Sequence, residues 1–377
     1  MLSHPALPAS GGFVTQLGVD TIAIERYTRT ADRLDGDVAL RSPSVRVIHY
    51  SAALDRSGKI QSLVTEIRRP GAPATAPAMM SRTITFGPET VVEMTRNGRR
   101  DTTSGARRYE GVGVPTLPSE PPSYGLYEQI IAANLTTTGT ARLTQIGGPG
   151  PQTAPLALSW RGPDSVQIAS GFFPPTPWLE IAAVSNGRIV GVNAMGTTIK
   201  TIAHRDDNLD FNGVLAGWAA REASAGPMGP ASTLDTARAS IGAANLEVVY
   251  SRPAKRGRVI FGNVVPWGEV WRTGADAATQ LTTTRDLVIG GTTVPAGKYT
   301  LWTLPTPNGA QLIINSQTGQ WGTDYDPKRD FARIPLTTTT LATPVERFTI
   351  GIDPSENGGV LRMSWDDRAY SVPFTVK

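Results

Sequence analysis

The chain has 377 residues and no cysteine, so it suggests two or three domains of ~100–200 residues and excludes disulfides, thiolate metal sites and cysteine nucleophiles. Its 40% hydrophobic and 18% charged residues suit packed cores rather than a disordered chain. The net charge of +4 comes without a run of lysine and arginine among aromatic residues, so we expect no nucleic-acid partner.

Residues 1–12 are predicted to form a flexible tail. They lack the basic and hydrophobic segments of a signal peptide and are similar to the stretch that follows a removed one. No apolar run of about 18 residues occurs, so we expect no membrane-spanning segment. The absence of cysteine and the many threonines and glycines favour a periplasmic or extracellular protein, free or peripheral to a membrane, although a cytosolic protein could share these features.

Residues 13–223 alternate apolar and polar side chains, with turn residues every 8–12 positions, which is typical of an antiparallel meander. Two segments, 124–134 and 208–223, have helical spacing. A long curved sheet needs a cover for its buried face, so we predict an open half-barrel with both helices on its concave face. This architecture resembles the lipoprotein-carrier folds of the bacterial envelope.

The segment 224–230 is predicted to be an interdomain linker, because two Gly-Pro-type breaks fall within seven residues. Residues 231–377 contain many short alternating stretches, and Asn-Gly or Gly-Gly pairs at 290–291, 308–309 and 357–358 indicate hairpins. The fold class is therefore mainly β, with the half-barrel followed by a jelly-roll-like β-sandwich.

Five motifs of the second domain appear in a characteristic order. They are the Tyr-Ser-Arg-Pro run from 250 with Arg-Gly-Arg at 256–258, the Val-Pro-Trp-Gly run from 265 with Val-Trp-Arg-Thr-Gly-Ala at 270–275, Val-Pro-Ala-Gly-Lys-Tyr at 294–299, Gln-Trp-Gly at 320–322, and Leu-Arg-Met-Ser-Trp-Asp-Asp at 361–367. In order and spacing they resemble the bacterial family known as domain of unknown function 2911. The resemblance implies a β fold in a bacterial, often exported, setting and no established chemistry. Asp276 and Ala277 stand where many family members have Asn-Glu.

The aromatic and arginine residues of these motifs form the strongest candidate binding site. Tryptophan and arginine together suit an anion, a sugar ring or a partner's side chain, but a Trp–Arg stack that locks a long loop in place has the same signature. The predicted binding or interface residues here are Trp267, Trp271, Arg272, Thr273, Asp276 and Arg252. An apolar, proline-stiffened loop adds Phe172, Phe173 and Trp178, either as a core contact or as an exposed wedge.

Catalytic motifs are missing from the sequence: it has no Gly-x-Ser-x-Gly elbow, His-Glu-x-x-His, P-loop or dinucleotide fingerprint. His204, Asp206 and Asp207 form the densest titratable cluster, but acids before a predicted helix are also expected as caps. We therefore predict no metal site and no cofactor.

Three functions remain open at this point. The first is a non-enzymatic exported envelope protein that acts as an accessory, scaffold or binding subunit of a larger complex, with other envelope or membrane-complex proteins as partners. The second is a hydrolase that uses carboxylates or His204 of the first domain. The third is a carrier that holds a small or apolar ligand in the half-barrel.

Overall fold

The computed structural model describes residues 7–73, 75–100, 106–115, 123–136, 139–147, 152–172 and 177–377. Contacts between residues divide the chain into two compact units, an N-terminal unit, Met1–Gly229, and a C-terminal unit, Pro230–Lys377. The division falls inside the predicted linker 224–230. Each unit is described separately below.

The described residues of the N-terminal unit form one sheet of sixteen strands and two helices. The strands are β1 Ser10–Leu17, β2 Asp20–Arg29, β3 Arg33–Leu40, β4 Arg46–Leu54, β5 Ile60–Arg68, β6 Met80–Thr85, β7 Glu89–Arg96, β8 Arg99–Arg100, β9 Arg107–Glu110, β10 Val114–Pro115, β11 Thr140–Gly147, β12 Gln152–Trp160, β13 Ser165–Ser170, β14 Trp178–Ser185, β15 Arg188–Gly196 and β16 Ile202–Arg205. The helices are α1 Tyr124–Asn134 and α2 Phe211–Ala225.

Neighbouring strands of this sheet are mostly consecutive in the chain. Strands β1 to β7 form one antiparallel run, β11 to β16 form another, and β16 pairs with β1 to join them. Strand β9 pairs with β7 and β10 pairs in parallel with β11, so the short segment 107–115 connects the two ends of the sheet. The predicted mainly-β fold with two helices and two large sheets is confirmed, and within the described residues neither sheet closes into a barrel.

Helix α1 lies inside the curved sheet of the N-terminal unit. Its apolar side chains join one core with residues from both runs of strands, including Phe13, Leu34 and Leu156. The buried apolar residues of the helix are Tyr124, Leu126, Tyr127, Ile130 and Ile131. Burial of each such side chain contributes roughly 1.5–3 kcal/mol, which holds this short helix in place although it would not be stable alone.

Helix α2 packs on the opposite face of the same sheet, so the prediction that both helices share the concave face is wrong. Phe211 and Trp218 of α2 contact Ile24, Ala39 and Val45, whereas the neighbouring residues of those strands point to the α1 side. Among the described residues, the helices are too short or too polar to cross a membrane.

The first strand begins nearer the N-terminus than the sequence predicts. Strand β1 starts at Ser10, and Ser10, Gly11 and Gly12 pair with β2 although they belong to the predicted tail. Glycine is needed at position 11 because a Cβ atom there would lie 2.8 Å from the hydroxyl of Tyr27. The two glycines therefore allow close packing against β2, and only residues 7–9 of the described tail precede the strand.

In the described chain, the C-terminal unit contains nine strands and one short 3-10 turn at Pro327–Arg329. The strands are β17 Ser232–Ile241, β18 Ala244–Pro253, β19 Thr279–Thr283, β20 Leu287–Ile289, β21 Thr292–Val294, β22 Gly297–Thr306, β23 Gly309–Asn315, β24 Asp330–Ser355 and β25 Gly358–Val376. Their hydrogen-bonded order is β17-β18-β19-β22-β23-β24-β25-β20-β21.

Two long strands turn this sheet back over its own core. β24 pairs with β23 in its first part and with β25 along the rest, so it belongs to both halves of the sandwich. The hydroxyl of Tyr250 in β18 accepts from the amide of Ile350 in β24 at 2.9 Å, which shows that the halves face each other. The alternation in the sequence predicts four short strands here, at 331–338, 345–352, 360–365 and 368–376. The structure has two bent ones instead, because β-branched residues such as those at 337–340 continue the strand through the expected break.

Candidate functional site

A cleft of about 390 Å³ lies on the outer face of the N-terminal sheet, beside the start of α2. Its walls come from β1 to β4 and from the segment that follows β16. The lining residues are Ser10, Gly11, Gly12, Arg26, Tyr27, Thr28, Asp35, Gly36, Asp37, His49, Asp206, Asp207 and Leu209. We call this set the outer cleft.

Asp37 bridges two cationic groups in the outer cleft. Its carboxylate accepts from Nε of Arg26 at 3.0 Å, and its other oxygen lies 2.9 Å from Nδ1 of His49. The pairing follows from register, because Arg26, Asp37 and His49 are directly opposite one another on β2, β3 and β4. Arg26 is further fixed by the side-chain oxygen of Asn212 at 3.1 Å and by the ring of Phe211.

The electrostatics of this bridge favour the charged forms of Asp37 and His49. The hydrogen bond that His49 donates to Asp37 raises the pKa of His49; partial burial opposes this rise, and Asp35 and Glu66 reinforce it. Burial acts to raise the pKa of Asp37, but the hydrogen bonds from His49 and Arg26 prevail and the pKa is lowered. Asp37 and His49 therefore stabilise each other as an ion pair.

The other carboxylates of the cleft also have local partners. Asp35 pairs with Arg33 at 2.9 Å, Asp207 pairs with Arg205 at 2.7 Å, and Asp206 accepts from the amide of Asn208 at 3.0 Å. The lining itself holds four carboxylates against one guanidinium and His49, and Arg33 and Arg205 lie just outside it. Among the described residues no three carboxylates or histidines are close enough together to hold a metal ion.

The structure divides the cluster predicted around His204. Asp206 and Asp207 line the outer cleft, whereas His204 lies exposed on β16 opposite Val14 and is not part of the lining. Helix α2 begins at residue 211 rather than 208 because Asp210 is its cap and accepts from the amide of Gly213 at 2.9 Å. The histidine of the cleft is His49, which sequence reasoning missed; the signal was available only as a strand register.

Two buried carboxylates hold α1 inside the sheet. Glu25 of β2 caps the helix: it accepts from the amides of Tyr124 at 2.7 Å and Gly125 at 3.1 Å, and from the hydroxyls of Tyr50 and Ser123. Burial raises the pKa of Glu25, and these four hydrogen bonds oppose the rise. A carboxylate at a helix N-terminus is favourable because it satisfies free amides.

Glu128 anchors the middle of the same helix. It accepts from Nη1 of Arg205 at 2.8 Å, from the amide of Ile189 at 2.8 Å and from the hydroxyl of Tyr27 at 2.5 Å. Arg205 also pairs with Asp207 of the outer cleft at 2.7 Å. The sequence did not single out Glu25 or Glu128, since nothing local shows that a carboxylate in a strand or helix is buried.

The two tryptophans of the predicted binding site, Trp267 and Trp271, pack against other aromatic rings of the fold. Trp271 stacks on Trp365 with ring centroids 5.8 Å apart and meets Phe348 edge-on at 5.0 Å. Trp267 stacks on Phe261 at 5.7 Å, and the guanidinium of Arg368 lies 4.9 Å from its ring centre. The Trp–Arg stack that locks the loop is therefore present, but its arginine is Arg368.

Arg252 is likewise occupied within the fold. It donates to the carbonyl of Phe348 at 3.1 Å, to Asp235 at 3.0 Å and to the hydroxyl of Thr349 at 2.8 Å. These bonds connect β18 to β24 and leave the side chain no free edge for a ligand. Phe172 and Trp178 of the predicted wedge are both half-buried, and Phe173 lies outside the described residues.

The loop from Arg272 to Asp276 has an unusual backbone. Thr273 and Asp276 have positive φ angles of 54° and 59°, and for a β-branched threonine this conformation is a real outlier. Each such residue costs of order 1–3 kcal/mol, which the surroundings must offset. The hydroxyl of Thr303 lies 2.5 Å from that of Thr273, and the amide of Gly322 donates to the carbonyl of Asp276 at 2.9 Å.

Comparison with known proteins adds a family for the second unit. The model of the family described as "Protein of unknown function (DUF2911)" matches residues 232–374. This confirms the resemblance drawn from the five motifs. No curated protein matches the chain. The family description assigns no chemistry, so the function has to be argued from the sites themselves.

Two solved structures show a weak likeness. One is a DUF1089 family protein from Pseudomonas aeruginosa, with a TM-score of 0.32 and 10% identity over 46% of this chain and 90% of that one. The other is a beta-barrel-like protein of domain of unknown function DUF1849 from Brucella abortus, with a TM-score of 0.30 and 10% identity over 52% of this chain and 93% of that one.

Proposed function

We propose that this chain is a non-catalytic binding protein, an accessory subunit that works outside the cytoplasm. Its binding site is the outer cleft, and the ligand is a polar group that carries positive charge, such as an amine of a small molecule or of a partner's side chain. The observation that carries the proposal is the concentration of four carboxylates in one lining beside one guanidinium and His49; two of the four also pair with arginines outside the lining. Clefts lined by one sign of charge attract ligands of the opposite sign.

The arrangement of the carboxylates favours an organic cation. Asp35, Asp206 and Asp207 line one cavity, yet the described residues offer no group of three that could hold a metal ion. A cavity of about 390 Å³ lies in the range of small-molecule sites. An extended amine can satisfy separated carboxylates one by one, which a single metal ion cannot do.

The carrier hypothesis has less support. An apolar ligand would need the space inside the curved sheet, and Leu126, Ile130 and Ile131 of α1 are packed into that space. The helix is also tied down through Glu25 and Glu128. A ligand could enter only if these buried polar contacts were broken first.

A hydrolase is the second candidate, since Asp37 orients His49 as an acid orients a catalytic histidine. Within the described residues, no serine or threonine hydroxyl donates to His49. Turnover of an ester, glycoside or peptide panel that is lost in His49→Gln would establish this alternative over the binding role.

Titration of the full chain with small amines tests the proposal. Agmatine and putrescine should bind saturably and shift the NMR signals of His49 and its neighbours, whereas glucose and succinate should not. Asp35→Asn removes one carboxylate and should weaken amine binding roughly fivefold, the factor that corresponds to about 1 kcal/mol for one exposed charge.

A matched control uses the other unit. Asp353 is also an exposed aspartate paired with an arginine, Arg362, at 3.3 Å, but it lies far along the sequence in β24. Asp353→Asn should leave amine affinity unchanged. Equally weakened amine binding in both variants, or the absence of any shift of the His49 signals, would contradict the assignment of the outer cleft as the amine site.

The proposed location is tested separately by fractionation of source cells. The protein should appear in the fraction released by selective opening of the outer membrane or in the medium. Recovery in the cytoplasmic fraction only would refute the extracytoplasmic part of the proposal and leave the cleft assignment intact.

A further inference from the structure

Arg272 differs from the other arginines of the C-terminal motifs in its lack of partners. Its Nε is buried without a hydrogen bond, and among the described residues its only interaction is electrostatic, with Asp276. By contrast, Arg252 uses Nε and both terminal nitrogens within the fold, and Arg258 donates to the carbonyls of Ala254 and Lys255. Within the described residues, Arg272 thus combines a buried Nε without a hydrogen bond, a feature shared by Nη1 of Arg347, with a single charged neighbour, Asp276.

The position of Arg272 is fixed rather than adaptable. Trp271 before it exchanges backbone hydrogen bonds with Thr303, at 2.8 and 2.9 Å. Its own stem packs against Gly322 so closely that a Cβ atom on that glycine would lie 2.1 Å from Cδ of Arg272. The loop that follows is held with Thr273 and Asp276 at positive φ. The fold thus keeps a strained loop and a poorly solvated guanidinium in one place.

A fixed, unpaired cation of this kind suits an anion that comes from outside the fold. A buried polar group without a partner is unfavourable, and burial lowers the pKa of Arg272 because the charged form is poorly solvated. The residue as a whole is half-buried, so part of its side chain is open to solvent although Nε itself is buried. Strained backbone that the surroundings enforce is typical of ligand-binding loops.

We propose that Arg272 binds the carboxylate of a small organic anion at the surface of the C-terminal unit. This site is separate from the outer cleft and does not depend on it. A monoanion fits better than a phosphate, because one guanidinium is present and the exposed Asp276 nearby already reduces the positive potential. The planar fork of arginine matches the two oxygens of a carboxylate.

The test is an NMR titration of the full chain with sodium acetate, against sodium chloride at the same ionic strength. The ¹H–¹⁵N signal of Arg272 Nε, assigned from its loss in Arg272→Lys, should shift saturably with acetate and not with chloride. Sodium phosphate at the same pH serves as a third arm. A phosphate response stronger than the acetate response would overturn the choice of carboxylate.

Two variants at the site should act in opposite directions. Arg272→Lys keeps the charge but loses the planar fork, so acetate affinity should fall roughly tenfold. Asp276→Asn removes the competing carboxylate, so acetate affinity should rise by roughly threefold or more. Arg362→Lys, a change at an exposed arginine paired with Asp353, should leave the titration unchanged.

The opposite responses keep the proposal falsifiable if one variant is unstable. Thermal unfolding of each variant shows whether the C-terminal unit is intact. If Asp276→Asn folds and does not tighten acetate binding, or if the wild-type Nε signal does not saturate with acetate, Arg272 is not an anion site. An Nε signal that instead follows the titration of Asp276 would show an internal pair, which would also overturn the proposal.

Discussion

Glu128→Leu is the sharpest test of how α1 is held. The carboxylate of Glu128 is completely buried, and its removal leaves the guanidinium of Arg205 without one of its two carboxylate partners, 2.8 Å away. The amide of Ile189 and the hydroxyl of Tyr27 lose their acceptors as well. Leucine has a similar volume, so the change removes polar contacts without opening a large cavity.

The expected cost follows from burial. Breaking a buried ion pair by removal of one partner costs about 3–5 kcal/mol, and an unsatisfied amide adds roughly 1–3 kcal/mol. Arg205 keeps Asp207 at 2.7 Å, which limits the loss. A destabilisation of about 4 kcal/mol for the opening of α1 is therefore expected, which corresponds to roughly 10³-fold faster amide exchange.

Hydrogen–deuterium exchange of the full chain, read on peptides within residues 124–134, measures this opening directly. The control is Glu89→Leu, because Glu89 and Arg108 are also 2.8 Å apart but exposed by 50% and 66%. That pair should contribute no more than about 1 kcal/mol. If Glu128→Leu does not fold, Glu128→Gln keeps an acceptor for Ile189 and should give a smaller increase. An α1 peptide that exchanges less than roughly tenfold faster in Glu128→Leu would refute the anchoring role.

Three further predictions concern single residues. The imidazole of His49 should titrate above its ordinary pKa of about 6.5 in an NMR titration, and its pKa should return towards that value in Asp37→Asn. The stabilisation of the folded state by this pair is fully present below the ordinary pKa and is lost as the pH rises through the raised pKa. Trp271→Ala should destabilise the C-terminal unit by about 3–5 kcal/mol in urea unfolding, because the ring is packed in the core; a cost below about 1 kcal/mol would place it at the surface. Gly36→Ala should lower the free energy of unfolding by roughly 1–3 kcal/mol, since the new Cβ would lie 2.3 Å from the ring of Tyr50. The control Gly351→Ala should be tolerated, because no heavy atom lies within 4 Å of its Cβ. Equal stability of the two variants would contradict the packing of Gly36 against Tyr50.

Local patterns were enough to predict most of the fold. Helix α1 has the predicted bounds, 124–134, because its apolar spacing is local and its neighbours are rich in breakers. The hairpin at 308–309 also lies where its Asn-Gly pair predicts. The bent strand β24 was predicted as two pieces, since a bend with few turn residues has no local signature distinct from a strand end.

The candidate sites were harder to predict, because their residues meet only through register and tertiary packing. Asp37 and His49 are twelve positions apart, and their contact depends on the pairing of β3 with β4. Arg272 was singled out as a conspicuous residue of the motif. Trp267 and Arg272 lie close in sequence, so the run itself could not show that Trp267 stacks with the distant Arg368 instead.

The position of the outer cleft follows from where apolar side chains end on the outer face of the sheet. One cross-strand row on that face consists of Ile24, Ala39 and Val47, and α2 packs over it. The next row, two residues further along each strand, consists of Arg26, Asp37 and His49.

Side chains two residues apart on a strand share a face, so both rows lie on the outer face of the sheet. Helix α2 covers the apolar row, and this cover stops where the charged row of Arg26, Asp37 and His49 begins. The break in alternation at Ile22–Ile24 and Val38–Leu40 marks the doubly covered part of the sheet, since both faces must be apolar there. A strand segment that is apolar on both faces and then returns to alternation therefore locates the edge of a second layer. In this chain that edge is one wall of the cleft.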